Sequence, residues 1–124
     1  MKIISILIYV AFLCVLFIRC EEEYVDRYLY IAVAGDYGVR FIGSYGDQFT
    51  QYDVQSRTPD YYYFHLNKLD NNFVGEFSKA LSLTPDPRTL TVRLYLKEFP
   101  EPALLLAEIS QVHPDSVIIV TYND

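Results

Sequence analysis

The chain has 124 residues, 52% of them hydrophobic, and a formal net charge of −6 that is split unevenly along its length. Lys2 and Arg19 are the only charged residues before position 21, so residues 21–124 carry the other eight basic residues against all sixteen acidic ones, a net of −8. This hydrophobicity without a low-complexity tract excludes a disordered or collagen-like chain, and the roughly 100 residues after position 20 suffice for one domain but not two.

Residues 3–18 are apolar apart from Ser5 and Tyr9, with Lys2 in front and Arg19, Cys20 and three glutamates behind. That is the layout of a secretory signal peptide, with cleavage expected after Cys20 and a single domain over 21–124. The apolar run falls just short of the ~17–25 residues that span a hydrocarbon core. Were it retained, it would act as a signal anchor and the chain would be a membrane-tethered structural subunit. Cleavage removes Cys14 and Cys20, the only two cysteines. A cysteine-free exported domain cannot be a disulfide-stapled toxin or growth-factor scaffold, and it has no thiol catalysis or thiolate metal site. Asn67, Asn71 and Asn72 are not followed by Ser or Thr two residues on, so no N-glycosylation is expected there.

Residues 28–34 read as a first strand ending in the turn residues Gly35, Asp36 and Gly38. A second strand over 39–43 and a third over 49–54 follow, each after a short Gly-containing turn, which predicts an antiparallel meander. The aromatic run 61–66 predicts a fourth strand, with Tyr61, Tyr63 and His65 on one face and Tyr62, Phe64 and Leu66 on the other.

Phe73, Phe77, Ala80 and Leu81 then recur at helical spacing behind Asp70, Asn71 and Asn72, predicting a short helix at 72–82 despite Gly75. The Pro-rich stretch 84–88 is a loop. From 89 to 96 the alternation of Leu90, Val92, Leu94 and Leu96 with Thr89, Thr91, Arg93 and Tyr95 predicts a strand with one buried face. Pro100 and Pro102 open a predicted helix with Leu105, Ile109 and Val112 on one stripe, closed by His113 and Pro114. An apolar strand over 117–122 completes what reads as a parallel β-α-β unit. The predicted fold class is therefore α+β: meander, short helix and C-terminal β-α-β unit in one sheet-plus-helices domain.

Eleven tyrosines lie beyond position 20, and the cluster at 61–63 is the densest chemical feature. Tyrosine presents a large apolar body with a polar tip, which suits protein contacts. Tyr61, Tyr63 and His65, with Tyr37 and Tyr45 in the meander turns, are the predicted binding residues. His65 and His113 are the only imidazoles. A small metal-independent, nuclease-like hydrolase would use His65 as acid or base, with Arg57 or Arg93 steadying a phosphate.

Two histidines without cysteines predict no metal site, and no phosphate- or nucleotide-binding glycine motif calls for a cofactor. Asp36 and Asp47 sit in turns at opposite ends of the second strand, too far apart to share an ion. The acidic balance opposes nucleic acid and anionic lipid, and favours an extracellular protein with a basic surface. The expected protein is a secreted, non-enzymatic binding module, such as a host-interaction or immune-modulating factor of a virus or parasite.

Overall fold

The computed structural model describes residues 27–66 and 71–123. The signal-peptide reading of 1–20, the acidic stretch 21–26 and Asp70 lie outside the described residues. Eight strands follow one another: β1 (Arg27–Gly35), β2 (Arg40–Gly46), β3 (Gln51–Arg57), β4 (Asp60–His65), β5 (Asn72–Lys79), β6 (Leu90–Glu98), β7 (Leu104–Gln111) and β8 (Ile118–Asn123). They form two four-stranded sheets, ordered β4-β1-β6-β7 and β3-β2-β5-β8, and every pairing is antiparallel. We call them the first and second sheet.

This β-sandwich corrects the α+β expectation, since no helix occurs among the described residues. Where a helix was predicted at 72–82 stands β5. Phe73, Gly75, Phe77 and Lys79 point into the sandwich and Asn72, Val74 and Glu76 out of it. The period is two, but glycine and lysine occupy two of the four inward positions and hide it, leaving the two phenylalanines at a spacing that imitates a helix. The helix predicted from Pro102 onward is β7, which returns antiparallel beside β6. The last strand crosses to the other sheet and pairs with β5, so no β-α-β unit exists.

The predicted three-strand meander is also corrected. Only β2 and β3 form a hairpin, while β1 belongs to the opposite sheet and takes β4 and β6 as neighbours. The turn between β1 and β2 is an arch between layers, built on Gly35 and Gly38 at φ 96° and 76°, where a side chain would be strained. Thr58, fully enclosed, ties this arch to the β3–β4 crossing. Its hydroxyl accepts from Val39 N–H at 2.9 Å and donates to the Asp36 carbonyl at 2.5 Å, and its own N–H donates to the Val39 carbonyl. Asp36 is further fixed by Thr89 N–H, which donates to its carboxylate at 2.7 Å.

Leu29, Ile31 and Val33 of β1, Phe64 of β4 and Leu90, Val92 and Leu94 of β6 meet Val39, Phe41, Phe73, Phe77, Ile118 and Val120 from the second sheet. Each such side chain stabilises the fold by about 1.5–3 kcal/mol relative to exposure, which lets a core without disulfides hold the layers together. Gly43 makes room for this packing, because a Cβ there would meet the Phe77 ring and the Glu76 carbonyl oxygen at 2.5 Å.

Lys79 is the exception among the inward residues, with a side chain only 3% exposed. Its ammonium group donates to the carbonyls of Asp86 at 2.5 Å, Arg88 at 2.7 Å and Val112 at 2.9 Å, which uses all three hydrogens. One side chain thereby anchors the long 80–89 loop and the end of β7.

Candidate functional site

The outward face of the first sheet is aromatic. Because β4 and β6 both run antiparallel to β1, the registers align Tyr63, Tyr30, Tyr95 and Leu105 in one line across all four strands. The adjacent line reads His65, Tyr28 and Lys97. On the other side stand Tyr61, Ala32, Arg93 and Glu108. Aromatic side chains thus fill one end of the face, and a salt bridge between Arg93 and Glu108 at 2.7 Å marks where it becomes polar.

Tyr30 is the hub. Its ring stacks on Tyr61 with an interplanar angle of 6° and a centroid separation of 5.7 Å, and lies 5.0 Å from Tyr63 and 5.6 Å from Tyr95. Tyr28 extends the cluster to Tyr63 at 5.7 Å and His65 at 6.4 Å. Such offset and tilted pairs are the favoured ring geometries. Burial, then the neighbouring phenols Tyr63, Tyr61 and Tyr95, push the Tyr30 hydroxyl above its ordinary pKa. Tyr61 and Tyr63 remain 50% and 64% exposed. Between the rings opens a groove of about 250 Å³ lined by Tyr28, Tyr30, Tyr63, Lys97 and Ala103. The Lys97 ammonium donates to the Glu101 carbonyl, which holds it at the groove's rim.

The structure brings three of the five predicted binding residues together: Tyr61, Tyr63 and His65 all project outward from β4. Tyr37 is exposed but sits in the arch at the opposite end of β1. Tyr45 does not face solvent as a contact residue. It packs on Tyr52, Tyr62, Phe64 and Phe73, at centroid distances of 5.3, 5.4, 6.3 and 6.5 Å, and burial raises its pKa. The inward Tyr62 donates to Asp60 at 2.8 Å, so burial and that bond together push its phenol well up.

Tyr28, Tyr30, Tyr95 and Leu105 are not among the binding residues predicted from the sequence. Tyr28 and Tyr30 alternate with Leu29 and Ile31, as Tyr95 does with Leu94 and Leu96, so the pattern assigns each to the face opposite the core. What it does not reveal is that the three strands are neighbours.

The hydrolase constellation does not assemble. Arg57 ends β3 in the second sheet, while His65 lies at the far end of β4, about 17 Å along the strand from Asp60. Arg93 shares the face with His65 but is two strands away and four residues along, roughly 16 Å in all. Its guanidinium is engaged by Glu108.

A larger, shallow groove of about 550 Å³ crosses the outer face of the second sheet, lined by Ile42, Ser44, Asp53 and Glu76 among others. Its lining mixes Ile42, Val54, Phe77 and Val117 with Ser44, Asp53, Gln55, Glu76 and Ser78, and no tyrosine lines it. Among the described residues no three of His, Cys, Asp and Glu gather as a metal site. Asp47, predicted in a turn, is buried there as an Asx motif whose carboxylate accepts from Phe49 and Thr50 N–H at 2.8 Å. No protein-family model matches the chain, and comparison with curated proteins finds no match.

Proposed function

We propose that this domain is a secreted, non-enzymatic binding module that takes a protein partner on the outer face of the first sheet. The observation that carries the reading is the line Tyr63, Tyr30, Tyr95 and Leu105, which lays three partly exposed rings and a leucine across the four strands. Tyrosines dominate contact energetics because they bury much area with few rotatable bonds. The signal-peptide layout of residues 1–20 supports export. The charge of −8 beyond position 20 supports a basic partner, steered by long-range attraction and held through cation–π contacts of Lys or Arg on the rings.

The test is surface-immobilised full-length protein against a panel of purified basic and acidic extracellular proteins, with Tyr30→Ser/Tyr63→Ser and Tyr37→Ser as variants. The double substitution is expected to weaken a captured basic partner by about 30-fold or more, the effect of losing a hot spot. Tyr37→Ser should leave binding unchanged, and raising salt should slow association. Partners whose affinity ignores the double variant would refute the surface assignment.

A further inference from the structure

On the outer face of the second sheet, Arg40 stands directly opposite Arg57 in the β2–β3 register, and both are exposed. Like charges opposed in this way destabilise a sheet. Every other lysine and arginine among the described residues is engaged. Arg27 meets Glu98 at 4.0 Å, Arg88 meets Asp86 at 2.9 Å and Arg93 meets Glu108 at 2.7 Å, while Lys79 and Lys97 donate to carbonyls. Arg40 and Arg57 make no side-chain hydrogen bond or ion pair among those residues, in a chain whose net charge beyond position 20 is −8.

The carboxylates at this end of the sandwich are already committed. Asp36 accepts from Thr89 N–H, Asp60 from Tyr61 N–H and the Tyr62 hydroxyl, and Asp86 from Arg88. Asp53 and Glu76 share the outer face but flank Ser44, four residues or about 13 Å along the strand from Arg40. On the side of Arg40 away from Arg57, Ala80 N–H donates to the Arg40 carbonyl at 2.9 Å and brings in the 80–89 loop. Between that loop and Arg40 lies a recess of about 370 Å³ whose lining includes Leu81, Ser82, Leu83, Asp86 and Arg88. Leu81 and Leu83 are 85% and 106% exposed.

We propose that Arg40 and Arg57 bind the phosphate group of a small organic phosphate monoester, with the carbon body of the ester in the recess against Leu81 and Leu83. The planar guanidinium fork matches phosphate oxygens two at a time, and two forks side by side match a group that carries a charge of about −2. A bound dianion also removes the repulsion that the register builds in. Asp86 does not oppose it, because Arg88 at 2.9 Å and Lys79 at 4.0 Å already answer its charge. The acidity of the whole chain selects a single phosphate over a polyanion, which needs a wide basic footprint. Phosphate contact by Arg57 therefore needs no help from His65, which lies on the opposite sheet.

The test is calorimetric titration of the full chain with phenyl phosphate, to about 20 mM and at about pH 7.5, where the ester is dianionic. Exposed charges are screened by solvent, so dissociation on the order of 1 mM is expected. Arg40→Gln and Arg57→Gln should each weaken binding about tenfold or more, while Arg57→Lys, which keeps the charge and loses the fork, should fall between them and the parent. Phenyl sulfate, with a single charge, should bind at least about threefold more weakly, and inorganic phosphate, with no carbon body, should also bind more weakly. Both glutamine variants should melt at or above the parent temperature, since each removes an opposed like charge. Arg93→Gln, on the other sheet, should bind as the parent does.

Absence of saturable binding overturns the proposal. So does binding that survives Arg57→Gln, or that Arg93→Gln weakens as much, since either places the phosphate elsewhere. Phenyl sulfate binding as tightly as phenyl phosphate would overturn the dianion, and inorganic phosphate doing so would overturn the recess. Tyr30→Ser/Tyr63→Ser should leave the titration unaltered, so this site and the partner-binding reading can fail separately.

Discussion

Replacing Lys79 by methionine tests the most unusual element of the core. Methionine matches the length of the lysine stem and is apolar, so in a buried ion pair it could stabilise the fold by removing two charges together. Lys79 differs because its three close partners are main-chain carbonyls, of Asp86, Arg88 and Val112, and these remain after the substitution. Each loses a charge-assisted donor, worth about 1.5–3 kcal/mol where nothing replaces it. Arg88 and Val112 are exposed residues whose carbonyls water can take over, which leaves the Asp86 carbonyl to carry the loss, about 3 kcal/mol.

That is a large share of the ~5–15 kcal/mol that holds a domain folded. At about 4–8 °C per kcal/mol for a domain near this size, the melting temperature should fall by about 12–24 °C. Urea unfolding followed by tyrosine fluorescence, undisturbed because the chain has no tryptophan, should give a lower midpoint with the same slope. A Lys79→Met protein within 1 kcal/mol of the parent would refute the argument, because the carbonyls would then be satisfied without the ammonium.

Two further outcomes follow from the packing and charge. Gly43→Ala should cost about 1–3 kcal/mol, read as a lower urea midpoint, because its new methyl group meets a main-chain oxygen as well as the Phe77 ring. Hydrogen bonds from the Arg88 side chain and N–H hold the Asp86 carboxyl down to about 2. A carboxyl lowered on folding stabilises above its unfolded pKa and loses that contribution as pH drops from about 4 towards 2. Melting temperatures across that window should therefore fall less steeply in Asp86→Asn than in the parent. Equal slopes would show that the exposed pair contributes nothing measurable.

Legibility in the sequence depended on whether each inward position carried an ordinary apolar side chain. β6 satisfies this, and Leu90, Val92 and Leu94 point inward as their alternation requires. β5 does not: Gly75 is small so that the Phe73 and Phe77 rings can flank it, and Lys79 is held by carbonyls that arrive from residues seven to thirty-three positions away. Neither choice is visible without the partners. β7 fails for a different reason, since an edge strand buries little, and only Ala107 and Ile109 of its length pack on the core. Its leucines therefore mimic the stripe of an amphipathic helix. The tight arch at Gly35 and Gly38 carries the same residues as a hairpin turn, and whether such a turn joins neighbours or layers is decided by what else pairs with β1.

The candidate site was half legible for the same reason. Alternation within 61–65 places Tyr61, Tyr63 and His65 together, because that relation is local. The strip exists only because β4 and β6 flank β1, a consequence of pairing across tens of residues. That pairing also changes what the tyrosines can do. An isolated exposed tyrosine loses rotamer freedom when a partner immobilises it, at about 0.5–1.5 kcal/mol for a mobile side chain. Tyr30 has already been immobilised between Tyr61, Tyr63 and Tyr95, and Tyr28 between Tyr63 and His65. The cost of ordering these rings is met in folding rather than in binding. Beyond the Arg93–Glu108 pair the same face carries Thr91 and Ser110, hydrogen-bonded at 2.8 Å. A surface of rings ordered in this way is what the proposed partner contact calls for.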